Sequence, residues 1–410
     1  MKEILQEKYA ELIIKKGLNL QKDQPLLINA SINLYPFVRV LVKKAYEVGA
    51  KWVDVNYRDP ENSRQSLIHE SIETLSTVPD HVKGRMFYAM NSKCARLSLY
   101  GEDPEFLKGI DPKKLKARSQ ANQLALKDVS NFYMKNGAQW CVVCLPEEKW
   151  AKKVFPDLET SEAMDKLFYA IMSASRVNIN EDPIENWNRL NKQLADRSAY
   201  LNNLDLDYLH YEASNGTNFK IGLAKDHIWM GGEDVTPDGV GFNPNIPSEE
   251  IFTAPDKNRI DGKVVASLPL NLNGSLVKDF YFIFKDGKVV DFDAKEGKEI
   301  LKNTLESDSG AKSLGEVALV EYNSPISMSK ILFYETLYDE NASCHLALGQ
   351  AYATNVKGGG EMTDEELSAH GVNDSLIHVD FMIGTKDLKI DGYKKDGTKV
   401  SIFKNGNFVF

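Results

Sequence analysis

The feature that most constrains the fold of this chain is a change in sequence pattern near its middle. In the first half, stretches with helical periodicity alternate with short β-branched runs such as QPLLINA and WVDVNYR, as in βαβ units with a mainly parallel sheet. After the amphipathic segment ENWNRLNKQLADRSAYLNNL, strand-like runs are separated by Asn-Gly, Gly-Gly and Asp-Gly pairs, which favour tight turns. The pattern predicts a doubly wound α/β domain over residues 1–190 and a strand-rich α+β domain over residues 191–410.

Individual elements can be placed from periodicity and turn signals. In the first half, further strands are predicted around residues 94–99 and 139–145. Helices are predicted near residues 3–16, 36–48, 63–76, 115–135 and 161–176. In the second half, hairpins are predicted at HYEASNGTNFKIGL and DFYFIFKDGKVVDFDA. No G-x-G-x-x-G follows the first strand and no G-x-x-x-x-G-K-[ST] occurs, so the predicted parallel sheet does not indicate a nucleotide site.

Charge and cysteine content argue against several classes of partner. The formal net charge of -9 disfavours binding to nucleic acid or anionic membranes. The first residues lack the apolar core of a signal peptide, and no apolar run reaches the roughly 18 residues of a membrane span. Four cysteines are too few for a secreted disulfide framework, and Cys141 and Cys144 lie in an apolar run that predicts a buried strand. We therefore expect a cytoplasmic protein with no nucleic-acid or membrane partner.

The strand-like segment HVDFMIG contains a histidine and an aspartate two positions apart. Because side chains alternate along a strand, His378 and Asp380 are predicted to lie on one face, where both could bind one metal ion. A solvated pair on a half-exposed strand would give the same pattern.

A second segment with possible ligands is FYETLYDENASCHLALGQAY, in which Glu340 and His345 are five residues apart. We interpret it as a loop that enters a helix and directs both side chains into a cleft. Alternatively, residues 339–341 cap that helix, because Asp and Asn are good N-cap residues, and His345 fills a gap beneath it.

Three further glutamates add to this inventory. Glu316 lies in SLGEVALV, directly before an apolar strand-like run, and Glu249 and Glu250 are adjacent in NPNIPSEEIFTAP, whose prolines restrict the backbone. Each glutamate taken alone is more typical of an exposed charge. Together the four segments supply six oxygen and nitrogen ligands, which exceeds the need of one zinc ion and suits two ions about 3.5–4 Å apart.

The segments NIPSEEIFTAP, LGEVALV, DENASCHLALGQAY and HVDFMIG resemble, in the same order, signature segments of the aminopeptidase T family of metallopeptidases, which includes the AmpS and PepS aminopeptidases. The resemblance covers most of the chain. It implies a two-domain homodimeric enzyme that removes N-terminal residues from peptides with two divalent ions per subunit, such as zinc, cobalt or magnesium.

The resemblance also assigns site residues. The family's metal ligands fall on Glu250, Glu316, Glu340, His345, His378 and Asp380. Its site tyrosine falls on Tyr352. Two points stay open: whether Glu249 or Glu250 binds metal, and whether Glu340 binds it directly or through water.

Roles in peptide hydrolysis follow from these positions. Glu316 is the expected bridging carboxylate, and Glu249 is the expected general base because it adjoins a ligand. Tyr352 follows His345 by seven residues, two helical turns along one face, and could donate its phenol to the oxyanion, although a core tyrosine bonded to a backbone carbonyl is the alternative.

A two-metal phosphoesterase and a metal-stabilised binding protein without activity would use the same ligand types. A phosphoesterase normally needs Arg or Lys near its metals, and the four segments contain neither.

Overall fold

The computed structural model describes residues 1–272 and 274–410 and divides the chain into two units. The first unit comprises Met1–Arg189 and Glu233–Pro247, and the second comprises Leu190–Gly232 and Ser248–Phe410. The chain thus leaves the first unit, returns to it for a short segment, and leaves it again.

Helices and strands are numbered in chain order. The helices are α1 Lys2–Leu12, α2 Tyr35–Glu47, α3 Pro60–His69, α4 Ile72–Leu75, α5 Asp80–Asn91, α6 Pro112–Ala125, α7 Lys127–Met134, α8 Glu148–Val154, α9 Thr160–Ala174, α10 Pro183–Leu204, α11 Lys298–Leu305, α12 Pro325–Ser329, α13 Thr336–Glu340 and α14 Asp364–Ala369. The strands are β1 Leu26–Ser31, β2 Val53–Arg58, β3 Ala95–Tyr100, β4 Trp140–Cys144, β5 Leu206–Glu212, β6 Asn218–Leu223, β7 Asp234–Val235, β8 Gly241–Phe242, β9 Asn245–Ile246, β10 Ile251–Thr253, β11 Pro255–Val265, β12 Leu270–Leu272, β13 Ser275–Lys285, β14 Lys288–Glu296, β15 Leu314–Leu319, β16 His345–Gly349, β17 His378–Met382, β18 Lys389–Lys394, β19 Lys399–Lys404 and β20 Asn407–Phe408.

The first unit contains the predicted parallel sheet, with strand order β2-β1-β3-β4-β9 and parallel pairing throughout. The strand order reverses at β1, so the doubly wound α/β prediction is confirmed. Every residue of β1 is buried, as expected for an interior strand of a parallel sheet. The edge strand β9 belongs to the segment that returns from the second unit.

The predicted helices and strands of this unit are present within a few residues of their expected bounds, although the stretch 115–135 is divided into α6 and α7 at Leu126. The stretch 63–76 is divided into α3 and α4, because Ser71 begins a new helix by accepting a hydrogen bond from the Thr74 amide. The helices α5 and α8 were not predicted. One apolar cluster of this unit packs Leu27 of β1 with Met86 of α5 and Val129 of α7.

In the second unit, long antiparallel strands form a sheet in the order β12-β13-β11-β6-β5-β18-β19-β20, with β14 beside β13. Both predicted hairpins are confirmed, as β5–β6 and β13–β14. The turn of the second hairpin is Asp286-Gly287, with φ angles of 49° and 81°. Asp and Gly tolerate such positive φ angles, which explains the signal in the sequence.

A smaller antiparallel sheet of the second unit, here called the small sheet, has the order β10-β15-β16-β17. One of its faces packs against the large sheet: the Phe381 ring of β17 lies 5.1 Å from the Phe282 ring of β13, edge to face. Phe280 and Phe284 lie two residues before and after Phe282, on the same face of β13, and are also buried. The opposite face of the small sheet does not contact these phenylalanines.

The sequence also makes predictions about the cysteines and the apolar character of the helices. All four cysteines lie within the described residues, are buried and form no disulfide, which confirms the interpretation of Cys141 and Cys144 as structural residues of a strand. No helix within residues 1–272 and 274–410 is long and apolar enough to cross a membrane.

Candidate metal centre

The register of the small sheet brings acidic and histidine side chains to one face. Glu316 of β15 and Asp380 of β17 both lie opposite Ala347 of β16. His345 precedes Ala347 by two positions and His378 precedes Asp380 by two, so period-two alternation puts all four polar side chains on the same face. The prediction that His378 and Asp380 share a strand face is confirmed.

Small residues separate these side chains. Ala347 lies between Glu316 and Asp380, and Gly349 lies opposite His378. Gly349 has a φ angle of +99°, and a Cβ atom there would overlap the carbonyl oxygen of Ile377, so glycine is required. The resulting floor of a methyl group and a glycine leaves space for the polar groups to converge.

One group of possible ligands consists of Glu250, Glu316 and His345, all buried. The Nε2 atom of His345 lies 2.9 Å from Oε2 of Glu250 and 3.5 Å from Oε1 of Glu316. Glu250 immediately precedes β10, the edge strand next to β15. Three buried groups of this kind match the number of protein ligands in many catalytic metal sites.

The second group consists of Glu316, His378 and Asp380. Nε2 of His378 lies 3.6 Å from Oε2 of Glu316 and 3.4 Å from Oδ1 of Asp380. Glu316 therefore belongs to both groups and turns one carboxylate oxygen toward each histidine. This geometry suits a carboxylate that bridges two ions.

Both histidines are oriented by backbone carbonyl groups. Nδ1 of His345 lies 3.0 Å from the carbonyl oxygen of Ser343, and Nδ1 of His378 lies 2.8 Å from that of Gln350. A carbonyl oxygen only accepts, so Nδ1 carries a proton and donates it, which leaves Nε2 as the ring nitrogen that faces the carboxylates and could bind a metal ion. Metal-binding histidines are held in the same way.

The remaining predicted ligand, Glu340, is the last residue of α13 and borders the cluster without belonging to either group of three. Its Oε1 atom accepts a hydrogen bond of 3.4 Å from Asn341 Nδ2. Burial raises its pKa well above the usual value, and the charges of Asp380 and Glu250 raise it further. Glu249 is also buried and outside both groups, and its backbone amide donates to Asn341 Oδ1.

Tyr352 lies beside the cluster. Its ring is 5.2 Å from that of His378 and 6.1 Å from that of Phe252. Burial raises the pKa of its phenol well above the usual value, and the negative charges of Glu316 and Asp380 act in the same direction. The hydroxyl group is thus kept protonated and can donate a hydrogen bond.

The charges of the cluster are strongly interdependent. Burial raises the pKa of Glu316. Burial alone lowers the pKa of His378, but Asp380 and Glu316 outweigh it and raise this pKa to about 10. Burial alone also lowers the pKa of His345, but the nearby carboxylates of Glu250 and Glu316 outweigh it and hold this pKa well above the usual value. The surrounding carboxylates therefore stabilise positive charge on both histidines.

The cluster fits divalent metal ions. Within residues 1–272 and 274–410, Oε2 of Glu250 and Oδ1 of Asp380 are buried and have no hydrogen-bond partner, although burial of such an atom is costly unless a cation or donor compensates. Together with Glu316 and Glu340 they supply four carboxylates, whose formal negative charge would balance the positive charge of two divalent ions. Oxygen and imidazole ligands without thiolate suit zinc, cobalt, manganese or magnesium.

Part of the local prediction was wrong. His345 begins a strand and not a helix, and residues 339–341 end α13 instead of capping a following helix. The apolar run HLALG is too short for its periodicity to distinguish the two, and pairing with β15 and β17 on both sides makes it a strand. Tyr352 consequently does not lie two helical turns from His345; a loop after β16 carries it to His378 instead.

Sequence reasoning also missed residues that shape the site. Asn341, Ala347 and Gly349 all lie within the segment already singled out for Glu340 and His345. A strand assignment for HLALG would have placed Ala347 and Gly349 on the face of His345, since they follow it at intervals of two. The role of Asn341 depends on a contact 92 residues away and has no local signal.

Known proteins resemble the chain over its full length. A model of the thermophilic metalloprotease family M29 matches residues 2–408. Aminopeptidase 2 of Geobacillus stearothermophilus is 44% identical over 404 residues, which cover 98% of this chain and 97% of that protein. Aminopeptidase AmpS of Bacillus subtilis is 42% identical over 403 residues, 98% of each chain.

A solved structure agrees with these sequence relationships. Wild-type AmpT from Thermus thermophilus, at 39% identity, superimposes with a TM-score of 0.93 and covers 100% of both chains. The fold and the sequence thus lead to the same group of enzymes, and the protein belongs to the M29 family of metalloproteases.

Proposed function

We propose that this protein is an aminopeptidase that hydrolyses the N-terminal peptide bond of peptides with a water molecule activated by two divalent metal ions. The observation that carries the two-metal proposal is the position of Glu316, whose two carboxylate oxygens face different histidines in two groups of ligands. Membership of the metalloprotease family and the aminopeptidase names of the relatives support the reaction.

We assign one ion to Glu250, Glu316 and His345, and the other to Glu316, His378 and Asp380. Glu340 completes the ligand set directly or through water. The short distances within each group and the orientation of both Nε2 atoms support this assignment. When bound, the two ions would lower the pKa of a water molecule and polarise the scissile carbonyl group.

The chain's own residues supply the remaining chemistry. Glu249 is the proposed general base, which takes a proton from the attacking water and returns it to the leaving amine. Its proximity to Glu250 and its burial support this role. The Tyr352 hydroxyl is proposed to donate a hydrogen bond to the carbonyl oxygen as negative charge develops there, as expected for a protonated phenol beside His378.

A two-metal phosphoesterase is less well supported. Phosphate would need Arg or Lys close to the metals, whereas the cations that pair with Glu250, Glu316 and Asp380 among residues 1–272 and 274–410 are histidines. A metal-stabilised binding protein would have no need of a protonated phenol and a second buried glutamate beside the ligands.

Hydrolysis assays distinguish the three possibilities. Amino-acid p-nitroanilides and p-nitrophenyl phosphate should be compared with metal-free protein and with protein reloaded with cobalt. We expect cobalt-dependent release of nitroaniline alone. Release of nitrophenol alone would favour the phosphoesterase, and inactivity toward both, with metal bound, would favour the binding protein.

The partners and location predicted from the sequence remain to be tested. We propose peptides with a free N-terminus as substrates, a homodimer as the assembly, the cytoplasm as the location, and no nucleic-acid or membrane partner. Light scattering coupled to size-exclusion chromatography tests the dimer, since a mass near 46.1 kDa would contradict it.

A further inference from the structure

Asn341 lies between the two segments that bring Glu250 and Glu340 to the metal centre. It directly follows α13, whose last residue is Glu340, and its exposure is 0%. A buried amide is costly unless its donor and acceptor atoms are satisfied. The partners of Asn341 therefore indicate what the residue does.

The side-chain amide of Asn341 makes hydrogen bonds with both of these segments. Its Oδ1 atom accepts a hydrogen bond of 2.6 Å from the backbone amide of Glu249. Its Nδ2 atom donates to the carbonyl oxygen of Leu337 at 2.9 Å and to Oε1 of Glu340 at 3.4 Å. These partners fix the orientation of the amide, because a backbone N–H needs an acceptor and the two oxygens need a donor.

We infer that Asn341 is a positioning residue of the metal centre, which joins the Glu249–Glu250 segment to the end of α13. The inference rests on the proposed metal-dependent function. The Oδ1 bond fixes the backbone one residue before Glu250, and the Nδ2 bond holds one oxygen of Glu340, so that the other oxygen keeps a defined direction. Asn341 thus sets the spacing between carboxylates from segments 92 residues apart.

A purely structural role would have different consequences. If Asn341 only ended α13, its replacement would lower the free energy of unfolding and leave the geometry of bound metal unchanged. Loss of a group that orients ligands typically weakens metal binding about 10- to 100-fold. Metal affinity and the spectrum of the bound metal therefore distinguish the two roles.

The test titrates metal-free full-length protein with Co²⁺ and records its visible absorption spectrum. Asn341→Ser is neutral and too short to span both segments, so we expect about 10- to 100-fold weaker cobalt binding and a changed spectrum. Asn341→Asp has almost the same shape and carries the test if the serine variant does not fold. It retains an acceptor for the Glu249 amide but loses both donors, and we expect a changed spectrum.

Asn186 provides a matched control in the first unit. It is buried, and its Nδ2 atom also donates to a backbone carbonyl, that of Arg176, and to a glutamate, Glu181. Asn186→Ser should therefore reproduce the loss of a buried amide while cobalt affinity and spectrum stay as in the wild type.

The outcomes separate the inference from the function on which it rests. Weaker binding with an altered spectrum in the Asn341 variants, and not in Asn186→Ser, supports the positioning role. Wild-type affinity and spectrum in a folded Asn341 variant overturn it while the metal centre stands. Failure of the wild-type protein to bind Co²⁺ overturns both.

Discussion

Glu316 and Asp380 lie on either side of Ala347, in one row that crosses the three neighbouring strands β15, β16 and β17. Two strand spacings separate their backbones by about 10 Å. Their carboxylates nevertheless converge on His378, to which both lie within 3.6 Å. They can do so because the residue between them has only a methyl side chain, which makes the size of Ala347 a condition for the metal centre.

The first prediction is that Ala347→Val weakens metal binding. Two additional methyl groups would point into the space between Glu316 and Asp380, and overpacking of a filled site typically costs about 1–3 kcal/mol. We expect metal affinity to fall by a similar free energy while the strand persists, because valine favours β-structure. Isothermal titration of the metal-free protein with zinc or cobalt measures the change.

Ala294→Val makes the same substitution at a half-buried strand position and is the control for this experiment. Ala294 lies in β14, outside the small sheet, so the same substitution should leave metal affinity unchanged. Equal metal affinity in Ala347→Val and wild type would show that the floor of the site tolerates a larger side chain.

The second prediction concerns the different numbers of ions that two ligands touch. Glu316→Ala should reduce the occupancy of both ions, because Glu316 faces both histidines, whereas His378→Ala should mainly empty one. Elemental analysis after dialysis gives the stoichiometry. Asp391→Ala, which removes a buried carboxylate bound to Lys389 and Lys399, should keep both ions. Two ions per chain in Glu316→Ala would remove this residue from the ligands.

The third prediction is that chelation abolishes activity without unfolding the chain. The buried aromatic side chains of β13 and the parallel sheet of the first unit do not involve the cluster, so the far-ultraviolet circular dichroism should persist in EDTA. The melting temperature should fall, since metal that binds only the folded state stabilises it. Restoration of activity by cobalt or zinc is expected. Loss of the dichroism signal on chelation would instead assign the ions a structural role.

The overall fold was accessible from the sequence because its signals are local. The Asp286-Gly287 turn, the buried β-branched runs of the first unit and the alternation in HVDFMIG each report on neighbouring residues, and each was interpreted correctly. The prediction that His378 and Asp380 lie on one face of a strand followed from the same alternation of side chains.

The interior of the site was less accessible because it depends on contacts between distant segments. HLALG is equally compatible with a helix and a strand until its neighbours β15 and β17 are known. The function of Asn341 requires knowledge that Glu249 lies beside it. The resemblance to a family supplied the ligand positions that periodicity alone could not connect.

The last prediction is that Tyr352→Phe lowers kcat while metal content and KM change little. The substitution removes one hydroxyl and preserves the ring that packs against His378 and Phe252, so packing beside the cluster is retained. If the phenol binds the developing oxyanion more strongly than the substrate carbonyl, its loss affects the transition state, and loss of one such donor typically reduces kcat about 100- to 1,000-fold.

Tyr211→Phe is the control, because Tyr211 is fully buried in β5 and its hydroxyl has no hydrogen-bond partner among the described residues, so kcat should be unaffected. The measurements are kcat, KM and melting temperature on leucine or alanine p-nitroanilide, with metal content determined in the same preparation. A structural tyrosine would lose roughly 1 kcal/mol of stability with its hydrogen bond and need not affect turnover. Near-normal kcat with a lowered melting temperature in Tyr352→Phe would therefore assign Tyr352 to packing and leave the metal ions as the electrophiles of the reaction.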